Sequence, residues 1–398
     1  MGWEILDGKT FHGLKVLDLS QGVAAPHCAM MLAQHGASVT KVEPHEGDWS
    51  RIIGKRYDDF TAATVIFNRG KQGLALNLKS PAGLAIVKKL AAEADIILQS
   101  FRPGVIERLG LDYSTVKSFN SNVVYLSLSG FGAEGPYAEL PGTDTVMQAY
   151  SGFMSINKDA TGMPQRADIY VVDLATSLYL YSAVTTALYS RQASGEGCHV
   201  ETSLAEAMGA FQAYKMVEHH LQGEEVEIIG APVGTFQTAD GYMNINARRD
   251  TQFPGFCRVA EREEWLEDPR FSTYEARKKN AAELLQLVRE VIKSKPTVFW
   301  RVGLDEAGVL NASVNTFSDY FEDEQVKACG LVSWVEHQST GSIPMSKVPA
   351  LPDFEEGTSK ARSPHIGQDS REVLSRLGYS ADQIEALIVD GIVKVYGT

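Results

Sequence analysis

Within the first 130 residues, short apolar runs alternate with segments of helical period, and this alternation constrains the fold most. Leu14–Ser20, Ala37–Glu43, Asp95–Gln99 and Asn122–Ser127 read as strands. Ala25–His35, which stops at Gly36, and Pro81–Glu93, with proline in its first turn, read as helices. Strands spaced by helices of this length predict a parallel sheet with helices on its faces, a Rossmann-like α/β architecture. No Gly-x-Gly-x-x-Gly follows the first strand, where the chain reads Ser-Gln-Gly-Val-Ala-Ala-Pro, so a dinucleotide phosphate loop is unsupported. The general rule for open parallel sheets remains: ligands lie at the carboxyl ends of the strands.

Further along, Ile169–Arg191 and Glu201–Leu221 are long helical patterns joined by a turn and a short strand. The character changes at 223–230, which is polar and acidic. Ala231–Tyr242 is hairpin-like and Thr251–Leu310 helical. These shifts predict a large domain from 1–222 together with 326–398, and a small α+β domain at 223–325. Val348–Ser363 reads as extended and Ser370–Val393 as helical. The chain has 398 residues, 44% of them hydrophobic, which is ample for two cores.

The most telling side chain is Asp173. It lies between Ile-Tyr-Val-Val and Leu-Ala-Thr-Ser-Leu-Tyr-Leu-Tyr, in the most apolar stretch of the chain. An ionised carboxylate avoids such surroundings unless something compensates, and a poorly hydrated one is a strong nucleophile. A structural aspartate that caps the helix is the plain alternative. The stretch reads as a buried helix, with membrane insertion the remote alternative.

Net charge is −13 with acids and bases intermixed, which offers no basic face for nucleic acid. An anionic ligand would then need locally concentrated Arg and Lys. Cys28, Cys198, Cys257 and Cys329 are far apart, so neither a zinc site nor a disulfide framework is indicated, and the cytoplasm is the expected compartment. The N-terminus does not read as a signal peptide. His219 and His220 are adjacent and point apart on a helix, which suits a solvated helix end better than a metal pair.

Several segments recur in a telling order: Ala25-Pro26, Lys41-Val-Glu43, Leu76-Asn-Leu-Lys79, Ser100-Phe-Arg-Pro-Gly104, Arg108-Leu-Gly110, Leu128-Ser-Gly-Phe-Gly132, Gly135-Pro136 and Pro164-x-Arg166 leading to Asp173. Together they resemble the class III CoA-transferases, the group that includes formyl-CoA and carnitine CoA-transferases. The resemblance implies a Rossmann-like large domain built from both chain ends, an inserted small domain, and an interlocked, obligate homodimer. It implies that Asp173 is the nucleophile, and that Lys79, Ser100, Phe101, Arg102 and Arg108 contact coenzyme A. Cations suit the phosphates of that ligand. Oxyanion donors are expected among the backbone amides near Val23 and Ala24 and in a loop of the small domain. The substrates would be an acyl-CoA and a carboxylic acid, with no tightly bound cofactor, no metal, no nucleic acid and no membrane.

Three departures bear on the acceptor. Asp168 stands where glycine is common, Val23 where formyl-CoA transferase has a glutamine, and Asn244–Arg249 where some relatives have a glycine-rich loop. The related α-methylacyl-CoA racemases place a histidine before an aspartate in a Gly-His-Asp run; here the run is Gly142-Thr143-Asp144. Thr143 cannot serve as an acid–base group. Asp144 remains to position substrate or cap a helix. A racemase and a non-catalytic CoA-binding protein stand as the alternatives. Arg248 and Arg249 could pair with a second carboxylate of a dicarboxylic substrate, or balance Asp250 on the surface.

Overall fold

The computed structural model describes residues 7–159, 161–223, 228–355 and 357–397. Residues 224–227, within the acidic segment noted above, lie outside the described residues. The chain divides into two compact units, Met1–Tyr214 with Gly330–Thr398, and Lys215–Cys329. The first division thus falls at the helix Ala213–Gln222 instead of after it. That division lies inside a helix, just past a break at Gln212, so no turn residue marks the change of core.

Seven strands form the sheet of the first unit: β1 (Lys15–Asp18), β2 (Ser38–Glu43), β3 (Gln72–Leu76), β4 (Ile96–Gln99), β5 (Val124–Ser129), β6 (Cys198–Ser203) and, from the other end of the chain, β12 (Val393–Lys394). Their order is β12-β3-β2-β1-β4-β5-β6. All neighbours pair in parallel except β12, which runs antiparallel to β3. From β3 to β6 this is the doubly wound order 3-2-1-4-5-6, which reverses direction between β1 and β4.

Alternate side chains feed two cores. Val16, Ile96, Leu98, Val124 and Leu126 pack on one face with the helices Ala24–Gln34 and Val171–Ser194. Leu17, Ile97, Val123 and Tyr125 pack on the other with Ile86, Val87 and Leu90 of Pro81–Glu93. The helix Val171–Ser194 is long and apolar enough by length and composition to cross a membrane, yet half of that stretch is buried inside the protein. It ends at Gly195 in the left-handed conformation (φ 74°).

Two expectations are corrected. Glu201–Leu221 is not one helix: β6 runs into Leu204–Phe211, and Ala213–Gln222 follows after a break at Gln212. Ser370–Val393 is two helices, Ser370–Arg376 and Ala381–Val389, followed by β12. Gly378 and Gly391, both at positive φ, end them. A hairpin of β10 (Ser333–His337) and β11 (Gly341–Met345) also belongs to the first unit.

The second unit carries a three-stranded antiparallel sheet, β7 (Val233–Gln237), β8 (Tyr242–Asn246) and β9 (Leu310–Ser313). Helices cover it around an aromatic core that includes Phe236, Phe253, Phe256, Phe271 and Trp300.

Candidate active site

At the reversal between β1 and β4 lies a cavity of about 420 Å³. Distant segments of the chain meet in its walls, among them Gln21, Val23 and Ala24 after β1; Ser100, Phe101 and Arg102 after β4; Gly142, Thr143 and Asp144; and Asp173. The crevice outside the carboxyl ends of strands, where the order reverses, is the ligand site of this architecture. Hydrogen bonds join the walls. Ser100 Oγ accepts the Gln21 N–H at 2.9 Å, across the reversal. Gln99 Oε1 accepts the Phe101 N–H, and Gln99 Nε2 donates to Ser127 Oγ.

Asp173 stands in the first turn of the long helix and is 8% exposed. Among the described residues, no hydrogen bond or ion pair reaches its carboxylate. Burial first, and the Asp144 charge second, push its acid up to about 7. Asp144 opens the helix Asp144–Tyr150 and crosses over to cap the long helix: its Oδ2 accepts the N–H of Val172 (2.8 Å) and of Asp173 (3.1 Å). Gln148 Nε2 donates to Asp144 Oδ1 at 2.6 Å, and Gln148 Oε1 accepts the Ala167 N–H. The capping alternative raised for Asp173 therefore belongs to Asp144.

Val23 is the N-cap of Ala24–Gln34 and Ala24 its first residue. The opening amides of a helix lack internal partners, and here two such residues line the cavity. Of the cations, Arg102 lines the cavity and is exposed. Lys79 lines an adjoining cavity of about 380 Å³ with His45 and Glu46, which shares Gln21 and Phe101 as a wall. Arg108 does not line the first cavity; it is exposed on the short helix Val105–Arg108. Gly104, at φ 80°, lies between the two arginines and opens that short helix. Among the described residues, no carboxylate pairs with Lys79, Arg102 or Arg108.

Among the described residues, no histidine lines the first cavity. His27 lies nearby in sequence to the Val23–Ala24 wall, but burial, then Arg69 and Lys71, hold its ring neutral with a pKa of about 4, and Nδ1 meets Ser177 Oγ at 2.7 Å. Asp168 is exposed and pairs with Arg166 at 2.7 Å. In the second unit, Asp250 pairs with the buried Arg277 (2.7 Å), so it does not balance Arg248 or Arg249. Arg248 Nη1 donates to Ile229 O, and Arg249 is exposed. His219 and His220 are exposed on their helix. Among the described residues, one group could hold a metal ion, Asp58, Asp59 and His365, and none of the three lines the cavity. Asp59 Oδ1 already meets His365 Nδ1 at 2.6 Å, and Oδ2 accepts the Ile366 N–H.

Sequence reasoning missed Trp49 and Gln21 as cavity residues, and it assigned no role to Lys41, Asp18 or Asp48. A signal was present: Asp18 and Lys41 sit inside apolar strands, where unpaired charge is expensive. Both are fully buried. Burial alone would raise the Asp18 acid, but Lys41 and Lys71 hold it below the usual range.

A doubly wound α/β domain with an unpaired, poorly solvated carboxylate at its reversal crevice defines a ligand-binding enzyme fold. Residues 11–370 match the model of CoA-transferase family III, and the chain belongs to that family. It is 30% identical over 401 residues to mouse succinyl-CoA:glutarate CoA-transferase, covering 98% of this chain and 92% of that protein. It is 30% identical over 384 residues to the succinyl-CoA–D-citramalate CoA-transferase of Chloroflexus aurantiacus, covering 94% and 96%. The crystal structure of a CaiB/BaiF family protein from Brucella suis superposes with a TM-score of 0.82 at 30% identity, over 92% of this chain and 99% of that one. The protein is an acyl-CoA:carboxylate CoA-transferase.

Proposed function

We propose that the chain moves coenzyme A from a dicarboxylic acyl-CoA, of the succinyl type, to a second small dicarboxylate through a thioester on Asp173. One observation carries this reading: Asp173 is buried, without a hydrogen-bond partner among the described residues, in the cavity at the strand reversal. The glutarate and citramalate transferases above support the substrate class, since both are named for a succinyl-CoA donor and a dicarboxylic acceptor.

Asp173 attacks the thioester carbonyl, the C–S bond breaks, and CoA leaves as thiolate from a mixed anhydride. The thiolate attacks the aspartyl carbonyl; the anhydride C–O bond breaks, and the donor acid departs as carboxylate. The acceptor carboxylate then attacks the aspartyl thioester, and the thiolate returns to the acceptor acyl carbon, regenerating Asp173. Splitting the exchange into such steps lowers each barrier. Each passes through an oxyanion, for which the Val23 and Ala24 amides are the donors. Burial of Asp173 protects the anhydrides from water. Arg102 and Lys79 attract the CoA phosphates, with Phe101 and Ser100 along the arm. Among the described residues, no histidine lines the cavity with Asp173, which disfavours the racemase reading.

The working form would be a homodimer. Leu178, Tyr179 and Tyr189 are exposed along one helix, and apolar exposure of this kind marks a contact surface. Four unpaired cysteines suit a reducing compartment, the cytoplasm.

The test is to incubate the protein with succinyl-CoA, trap with hydroxylamine, and map peptides by mass spectrometry. The hydroxamate should fall on Asp173. Exchange that survives in Asp173→Ala would refute the assignment.

A further inference from the structure

Behind the Gln21–Ala24 wall lies a buried pair of charges, Asp48 and Lys41, and neither lines either cavity. Asp48 is 1% exposed and Lys41 0%. Both Asp48 oxygens accept the Gly22 N–H, at 3.0 and 3.1 Å. Oδ1 also accepts the Ser50 N–H at 2.9 Å, which caps the turn Trp49–Ile52. Oδ2 takes Lys41 Nζ at 2.9 Å, and Lys41 donates again to Ser20 O. One carboxylate thus ties together two walls of the cavity, the loop leading into Val23 and Ala24, and Trp49. The join is tight: a Cβ on Gly22 would fall 2.2 Å from Trp49 Cζ2.

Burying a lysine and a carboxylate is costly, and an apolar pair of similar size generally serves stability as well. What an apolar pair cannot do is accept the Gly22 N–H. We infer that Asp48, held by Lys41, is a positioning residue that sets the Gly22–Ala24 backbone so that the Val23 and Ala24 amides meet the oxyanion formed at Asp173. This rests on the covalent reading above. A donor displaced by a fraction of an ångström loses most of its effect on a developing charge, whereas ground-state binding of CoA, made elsewhere, is spared.

The test compares two double variants that keep the buried charges balanced. Lys41→Met/Asp48→Ala removes the acceptor; Lys41→Met/Asp48→Asn retains a carbonyl for Gly22. In succinyl-CoA exchange, the first should lose kcat on the order of 10²-fold, with the Kd for CoA, by calorimetry, moving less than about threefold. The second should recover to within about tenfold of wild type. A kcat close to wild type in the Ala variant, a loss confined to KM, or equal losses in both variants would overturn the role. Should the Ala variant not fold, hydrogen exchange on the wild-type protein decides: the Gly22 amide should be strongly protected, and rapid exchange there overturns the tie. Asp173→Ala runs alongside. Exchange retained by Asp173→Ala overturns the covalent reading and the positioning role with it, while exchange retained only by the Lys41→Met/Asp48→Ala variant overturns the positioning role alone.

Discussion

Asp144 Oδ2 accepts the backbone N–H of Asp173 at 3.1 Å, so one carboxylate anchors the turn that presents another. The two effects of Asp144 oppose each other. Its hydrogen bonds satisfy the opening amides of the long helix, and its charge makes Asp173 harder to ionise.

Replacing Asp144 therefore separates cap from charge. Asp144→Asn keeps a carbonyl acceptor and removes the charge, and the acid limb of the pH–rate profile should move to lower pH. Asp144→Ala removes both and should also lower stability by about 1–2 kcal/mol, read by thermal denaturation. An acid limb that stays in place in Asp144→Asn would show that the charge does not reach Asp173.

The wild-type profile has its own signature. With the acid held up to about 7, Asp173 is half protonated at neutral pH, and only the carboxylate attacks. Measured from pH 5 to 9, kcat/KM for the acyl-CoA should climb about tenfold per pH unit on the acid side and level off above 7. A plateau reaching down to pH 5 would place the controlling group elsewhere.

The same shift has a stability consequence, with a definite sign. The folded protein holds the Asp173 proton up to about 7, whereas the unfolded chain releases it near 3.8. Stability therefore declines as pH rises from 3.8 to 7, and the penalty, at most about 4 kcal/mol, is complete above 7. Asp173→Asn lifts it. The variant should melt several degrees above wild type at pH 8 and close to it at pH 4. Equal differences at the two pH values would contradict the burial argument.

Gly22 is held at φ 82° against Trp49. Gly22→Ala adds a Cβ where the backbone conformation disfavours one, at a cost of about 1–2 kcal/mol, and where Trp49 must move. Lowered stability together with a changed tryptophan fluorescence is expected. A fluorescence spectrum identical to wild type would show that the two do not press on each other.

For the dimer, Tyr189 is 79% exposed on the long helix. Tyr189→Asp should shift sedimentation from dimer toward monomer; a monomeric wild type would remove the homodimer proposal.

Much of the frame was legible from residues alone. Strands β1, β2, β4 and β5 fall within about two residues of their apolar runs, and Pro81–Glu93 has the bounds that its helical period and first-turn proline indicate, with Ser80 as its cap. These signals are local, set by burial on both faces and by capping. Strand β3 and the hairpin β10–β11 carried weaker local signals, and the helix break at Gln212 has neither glycine nor proline to announce it.

What the sequence determined by itself is a covered parallel sheet and one carboxylate out of place among apolar neighbours, because strand period, helix period and the cost of burying charge act over a few residues. The tertiary structure alone decided that Val23, Ser100, Asp144 and Asp173 share a cavity, that Arg108 stands apart from it, and that Asp48 stands behind it with Lys41. Strand order, and with it the reversal between β1 and β4, follows from how whole faces pack against each other, and no local pattern encodes that choice.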